Sequence, residues 1–272
     1  MSELVITSKD NSLVKRARAV RDGKIREEIF IEGLRLCEEA AQALSRDDIL
    51  HVISTERIAE LERGARLLKA LKGGGKRIAF INESVFSSIS DTKTPQGIVL
   101  LAARPDTEQS ALLKNSNEVP LLVILHKINN PSNAGAILRT VEASGATGVI
   151  LTEGATDIFS PKALRGSMGS SLRLPLWTGA TLLEALVFCK AQGILTVSTD
   201  LHARHIYTEI DWTMPRALIV GSEGAGLEKN EIDATQESLK IPMRSPVESL
   251  NVAVATAVIL YEAARQRAEG RK

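Results

Sequence analysis

Short apolar runs alternate with stretches of helical spacing along the whole chain, but its two halves combine them differently. In residues 1–105 the run Phe30-Ile31 and residues 51–54, 78–81 and 98–101 read as strands, the first ending in a turn at Gly33. Helical spacing marks residues 9–26, residues 34–44 through Leu34, Cys37, Ala40, Ala41 and Leu44, and residues 58–71, which stop before Gly73-Gly74-Gly75. This half reads as a small α/β unit. Residues 106–118 are polar and proline-bracketed, the composition of a linker.

From residue 119 to 272 the order becomes regular: strands at 121–125, 149–152, 194–198 and 217–220, with helices at 134–144, 180–191 and 252–269. Strand–helix alternation of this kind means a parallel sheet with helices on both faces. The final helix is apolar on most sides through Val252, Ala253, Val254, Ala255, Ala257, Val258, Ile259, Leu260 and Ala263. A helix hydrophobic nearly all round is a buried helix. One face can pack on its own sheet, and the opposite face then calls for a second protein surface.

Composition narrows the function classes. Hydrophobic content of 44% and charged content of 25% describe a globular protein, and aromatics at 3% leave few stacking platforms for bases. The net charge of +1 conceals a basic leading segment: Lys9, Lys15, Arg16, Arg18, Arg21, Lys24 and Arg26 meet only Asp10 and Asp22 locally. Such a run is either a footprint for a polyanion or a solvated helix face. Cys37 and Cys189 lie far apart, which fits a reducing compartment and argues against disulfides and zinc. The start of the chain has no apolar signal core and no run reaches membrane-span length, so a cytoplasmic, membrane-free protein is expected. His202 and His205 are too few for a metal site, and none is expected.

Chemistry concentrates in three turns that end β-rich runs of the second half. The first, NNPSNAGAILRT, is expected to use Asn133 as a helix cap, with Arg139 about 1.7 turns further on and leaving the core on another side. The second, Gly221-Ser222-Glu223-Gly224-Ala225-Gly226, lacks the glycine order of a dinucleotide fold and lies too late in the sheet. An oxidoreductase is therefore excluded. Bare backbone there suits close approach of a ligand. The third, Ser249-Leu250-Asn251, opens the last helix below a loop stiffened by Pro242 and Pro246. Capping, a tight turn and a surface cation would each explain these residues without function.

In this order the three segments resemble the signature motifs of the SpoU/TrmH family of S-adenosylmethionine-dependent RNA ribose methyltransferases. N-x-G-x-x-x-R-T matches residues 133–140, the glycine–glutamate turn matches residues 221–224, and I-P-M with S-L-N-V matches residues 241–243 and 249–252. Residues 8–15, 30–33 and Thr94-Pro95-Gln96-Gly97 resemble the family's substrate-binding domain. The resemblance implies a trefoil-knotted, parallel-sheet methyltransferase domain at 119–272, a linker at 106–118, an RNA-binding domain at 1–105, and a homodimer through the C-terminal domain. His126, where relatives often carry aspartate, and Ser245-Pro246, where glycine is common, depart from the pattern.

By the same resemblance Arg139, Asn133, Glu223, Ser249 and Asn251 are the catalytic residues, and Gly221, Ile241, Met243 and Leu250 hold S-adenosylmethionine. Lys15, Arg16 and Arg18 are the expected RNA contacts. Large-subunit rRNA is the expected substrate, with tRNA as the alternative. A non-catalytic RNA-binding or ribosome-assembly factor of the same fold is the competing class, and the intact Arg139, Glu223, Ser249 and Asn251 argue against it.

Overall fold

The structure, a computed structural model, describes residues 5–113 and 118–270, with only the backbone of Leu113. It divides into two compact units: residues 1–105 with 159–172, and residues 106–158 with 173–272.

In the first unit, strands β1 (Glu28–Glu32), β2 (Ile49–Ser54), β3 (Ile78–Phe80) and β4 (Ile98–Ala103) form a sheet in the order β1-β4-β2-β3. β4 runs antiparallel to both β1 and β2, and β2 parallel to β3. Helix α1 (Ser12–Arg21) offers Val14, Ala17 and Val20, spaced by three, to a core shared with Phe30, Ile53, Val99 and Leu101. Helix α2 (Leu34–Ala43) packs on β1 and β4. The helix expected over 58–71 is instead two, α3 (Glu56–Glu60) and α4 (Glu62–Gly73), broken at Leu61. The break has a steric cause. A Cβ on Gly64 would lie 2.1 Å from the carbonyl oxygen of Ile58, so the first turn of α4 sits hard against the end of α3. Helix α5 (Glu83–Ile89), capped by Asn82, is too short to show a period in the sequence.

The second unit is built on seven parallel strands: β5 (Leu121–Leu125), β6 (Gly148–Thr152), β7 (Leu176–Ala180), β8 (Leu195–Thr199), β9 (His205–Ile206), β10 (Arg216–Val220) and β11 (Glu237–Lys240). Their order is β7-β6-β5-β10-β8-β11-β9, with every pairing parallel. Buried on both faces, β5, β6 and β10 are continuous apolar runs rather than alternating ones. Helix α6 (Pro131–Ala143) follows β5, and α7 (Pro161–Ser167), which belongs to the first unit, follows β6. Helix α8 (Leu182–Ala191) starts two residues later than expected, because Ala180 completes β7 and Thr181 closes a capping box with Glu184. Helices α9 (Lys229–Asp233) and α10 (Val252–Glu269) complete the unit. Of the segment expected as a linker, Leu112 is buried in this unit's core, Thr178 N donates to Thr107 O (3.0 Å), and residues 114–117 lie outside the described residues.

Helix α10 packs on α6 and runs from the carboxyl ends of the central strands to their amino ends. Asn251 caps its start, while near its end Arg267 donates to the carbonyls of Trp212 (2.7 Å), Val119 (2.6 Å), Pro120 (2.9 Å) and Met214 (3.2 Å). Thr256, Ile259, Leu260 and Ala263 are buried within the unit, whereas Val254 is 50% and Tyr261 57% exposed. Burial also explains the cysteines: it pushes the Cys37 thiol up, and the Cys189 thiol up to about 12, so both are inert core groups. No helix among the described residues is long and apolar enough to cross a membrane.

The central strands carry the stability of this unit. Ile124→Ala, at a fully buried site in β5, should cost roughly 2–5 kcal/mol in urea unfolding. Val187→Ala on the exposed side of α8 should stay within about 0.5 kcal/mol of the parent.

Candidate active site

In an open parallel sheet, ligands bind beyond the carboxyl ends of the strands where the connection direction reverses. Here that point falls between β5 and β10: the chain leaves β5 toward β6 on one side and leaves β10 toward β11 on the other. The loops that follow β5, β10 and β11 are the three motif segments.

Asn130, not Asn133, caps α6: its side chain accepts from Ser132 N (2.9 Å), and Pro131 opens the helix, where a missing N–H costs nothing. Asn133, expected as the cap, is thereby freed for tertiary bonds. Its Nδ2 donates to Glu223 Oε1 (3.1 Å), and its Oδ1 accepts from Asn251 Nδ2 (3.2 Å). Glu223 also accepts from the backbone amides of Asn129 (3.2 Å) and Asn130 (3.1 Å). Asn251 Oδ1 in turn accepts from Ala253 N (2.9 Å), which begins α10. One residue from each motif thus joins a single chain of bonds, Glu223 to Asn133 to Asn251. Partial burial pushes the Glu223 carboxyl up, but the bonds from Asn133, Asn129 and Asn130 outweigh it and hold the group below the usual glutamate range.

The second turn is closed on itself. Gly226 N donates to Ser222 O (3.0 Å), Gly226 has φ +67°, and a Cβ on Gly221 would lie 2.3 Å from the Gly226 carbonyl carbon. Glycine at 221 and 226 is a demand of the turn, which in return holds Glu223 at its tip. The third loop has the opposite character. Across residues 241–250 the only backbone–backbone hydrogen bond among the described residues is Val247 N to Arg244 O (3.0 Å), and Val247 and Leu250 expose apolar side chains. Backbone polar groups require partners. Ile241 and Met243, half-buried just past β11, and exposed Leu250 line a stretch whose peptide groups remain available to a ligand.

Arg139 projects from the exposed side of α6, about 240° around the helix and roughly 9 Å along it from Asn133. It makes no hydrogen bond or ion pair among the described residues, and Ser249 is likewise exposed beside Asn251. The structure therefore brings together Asn133, Glu223 and Asn251, and leaves Arg139 and Ser249 facing outward. At the end of β5, His126 is buried. Its Nε2 lies 2.8 Å from Glu231 Oε1, and its Nδ1 3.1 Å from Thr152 Oγ1. Lys127, at φ +53°, reaches the same Glu231 oxygen (3.0 Å). Sequence reasoning had no signal for this cluster, which is made by α9, a five-residue helix. The departure at His126 is thus an internal strut of the strand edge.

In the first unit two of the three expected RNA contacts have intramolecular tasks. Arg16 grips the buried Glu28 with two nitrogens, and Arg18 donates to Ser88 Oγ (2.7 Å). Lys15 is exposed and pairs with the exposed Asp10 (3.1 Å).

Residues 120–261 match the SpoU rRNA methylase family, and residues 30–108 match the RNA 2′-O ribose methyltransferase substrate-binding family. A Synechocystis sp. protein named an uncharacterized tRNA/rRNA methyltransferase is 33% identical over 266 residues, 96% of this chain and 94% of that one. The 23S rRNA guanosine 2′-O-methyltransferase RlmP of Bacillus subtilis is 30% identical, over 94% of this chain and 97% of its own. The AdoMet-bound rRNA methyltransferase of Sinorhizobium meliloti superposes with a TM-score of 0.83 at 28% identity, covering 96% of this chain and 97% of that one. With three motif loops meeting at the carboxyl edge of its parallel sheet and a substrate-binding unit before it, the chain belongs to the SpoU family of RNA methylases.

Proposed function

We propose that this chain transfers a methyl group from S-adenosylmethionine to a ribose 2′-hydroxyl of structured RNA, with large-subunit rRNA as substrate. The observation that carries this reading is the Glu223–Asn133–Asn251 chain, which fixes all three motif loops in one place. Relatives over nearly the full length include the 23S rRNA enzyme RlmP. Solved structures named for tRNA, such as one for methylation of C/U34, cover only 59% of this chain. That contrast favours rRNA over tRNA. A cytoplasmic location follows from such a substrate.

The residues present fit the cofactor: the turn at Gly221 and the open backbone of Ile241, Met243 and Leu250 supply donors and acceptors for its adenine and methionine parts. Bound there, S-adenosylmethionine supplies a methyl already activated by a sulfonium. What remains for the protein is to align the hydroxyl and manage one proton. A guanidinium is a cation and a donor rather than a base, so Arg139 acts by positioning phosphate and ribose and by stabilising the developing oxyanion, with the hydroxyl proton lost late to solvent. Glu223 and Asn133 hold the first loop in register with Asn251, and the Ser249 hydroxyl stands free to meet the ribose.

The active species is a homodimer built on the second unit. Val254 and Tyr261 on α10, with Val247 and Leu250 before it, expose an apolar strip that a second copy would cover. Sedimentation equilibrium at micromolar concentration should give a dimer, and a fully active monomer would contradict it.

Arg139→Ala should reduce methyl transfer to rRNA by about a hundredfold or more. Its affinity for S-adenosylmethionine, read by calorimetry, should stay within about threefold, because the cofactor is held by backbone elsewhere. Near-normal turnover would remove Arg139 from the mechanism. Glu223 makes a second prediction through pH. Its native pKa is depressed, so its contribution to stability is complete above the ordinary glutamate range near ~4.3 and is lost as pH falls through the native value. Glu223→Gln should lower the urea midpoint at pH 7 and narrow the difference between pH 7 and pH 4 relative to the parent.

A further inference from the structure

Two sequence segments of the first unit, residues 30–33 and 94–97, have no part in the methyl-transfer site, yet the fold ties them together. Gly33 N donates to Ile98 O (3.1 Å), Leu34 N to Gln96 Oε1 (2.7 Å), and Thr55 N to Gly97 O (2.8 Å). Gly97 is required twice over: its φ is +92°, and a Cβ there would lie 2.4 Å from Thr55 Oγ1. These bonds frame a cleft of about 180 Å³ lined by Leu34, Arg57, Ile58, Leu61, Pro95 and Gln96. It is well below the ~300 Å³ at which pockets enclose a whole drug-sized ligand, so it suits one flat group.

Its walls are unusual for a surface. Leu61 is 49% exposed at the break between α3 and α4, and Gly64 against Ile58 makes that break a fixed feature. Arg57 is held at the rim by Pro95 O (3.0 Å) and, more loosely, by Glu83 (3.6 Å). A guanidinium pinned in this way presents a flat cationic face of the kind that stacks on rings. Gln96 spends its Oε1 on Leu34 N, while its Nε2 has no partner among the described residues. Apolar walls, one planar cation and one spare amide donor together recognise an aromatic ring with acceptors on its edge.

We propose that this cleft receives a single unpaired RNA base outside the target ribose, and so contributes to the choice of substrate. The inference rests on the RNA-methylating reading above, and the match of residues 30–108 to a substrate-binding family spans every residue of the lining. A base laid on the Leu61 wall takes that apolar surface out of water, so truncating the wall weakens binding measurably. Apolar and amide contacts to a base neutralise no phosphate, so their loss leaves the salt dependence of binding unchanged.

The test measures the affinity of the full chain for an unmodified 23S rRNA transcript at several salt concentrations, separately from methyl transfer. Leu61→Ala should raise Kd about tenfold at every salt concentration with the same slope of log K against log salt. Leu50→Ala, an exposed leucine on β2 outside the cleft, should bind like the parent and controls for loss of apolar surface. An unchanged Kd for Leu61→Ala would overturn the proposal and leave the cleft to a protein partner. A shallower slope would overturn it too, since that marks a phosphate contact. A parent chain that binds the transcript but fails to methylate it would refute the functional reading, while the ratio of the two Kd values would still decide the cleft.

Discussion

The carboxylate of Glu223 is the constraint on which the second unit's site depends. It sits at the amino end of α6 and accepts two backbone amides and one side-chain amide there, where the helix dipole favours negative charge. A side chain from the turn after β10 therefore does part of the capping of a helix that follows β5. That is possible only because β10 pairs directly with β5, and because Gly221 and Gly226 allow the turn to double back on itself. Asn133 then passes the restraint to Asn251, and Asn251 starts α10. From there the helix runs back across the sheet to Arg267, which clasps the backbone just ahead of β5 and β10. The site and the amino ends of the central strands are joined through one 18-residue helix.

A second carboxylate braces the carboxyl end of β5. Glu231 binds both His126 and Lys127 and also closes the capping box of α9 with Glu228. Burial pushes its carboxyl up, and the bonds from Glu228 N, Lys127 and His126 bring it below the usual range. The loop between His126 and Asn133 is therefore held at both ends by glutamates from later in the chain. Exposed catalytic loops are the least stable parts of most folds, and these bonds supply order where the apolar core does not reach.

Much of this was legible in the sequence, and the reasons for the gaps are physical. Strands β5, β6 and β10 announce themselves as unbroken apolar runs because both faces are buried. Strands β9 and β11 and helices α5, α7 and α9 are too short for periodicity to register. The break at Leu61 depends on one glycine packing against one carbonyl, a tertiary contact. At the site, the motifs located Asn133, Glu223 and Asn251, but the choice of Asn130 as the helix cap needed the geometry of Pro131. Arg16 and Arg18 look alike with Lys15 in the sequence; only the fold shows that Glu28 and Ser88 already hold them.

Amide hydrogen exchange at Asn129 and Asn130 tests most directly whether Glu223 organises the site. Both amides lie in an exposed loop and donate to that carboxylate. In Glu223→Ala they should exchange at least about tenfold faster than in the parent, with β5 and the centre of α6 unchanged, because those remain protected by their own ladder and helix. Parent-like exchange at both amides would show that the loop is ordered by something else, and the account of a carboxylate-built site would fail.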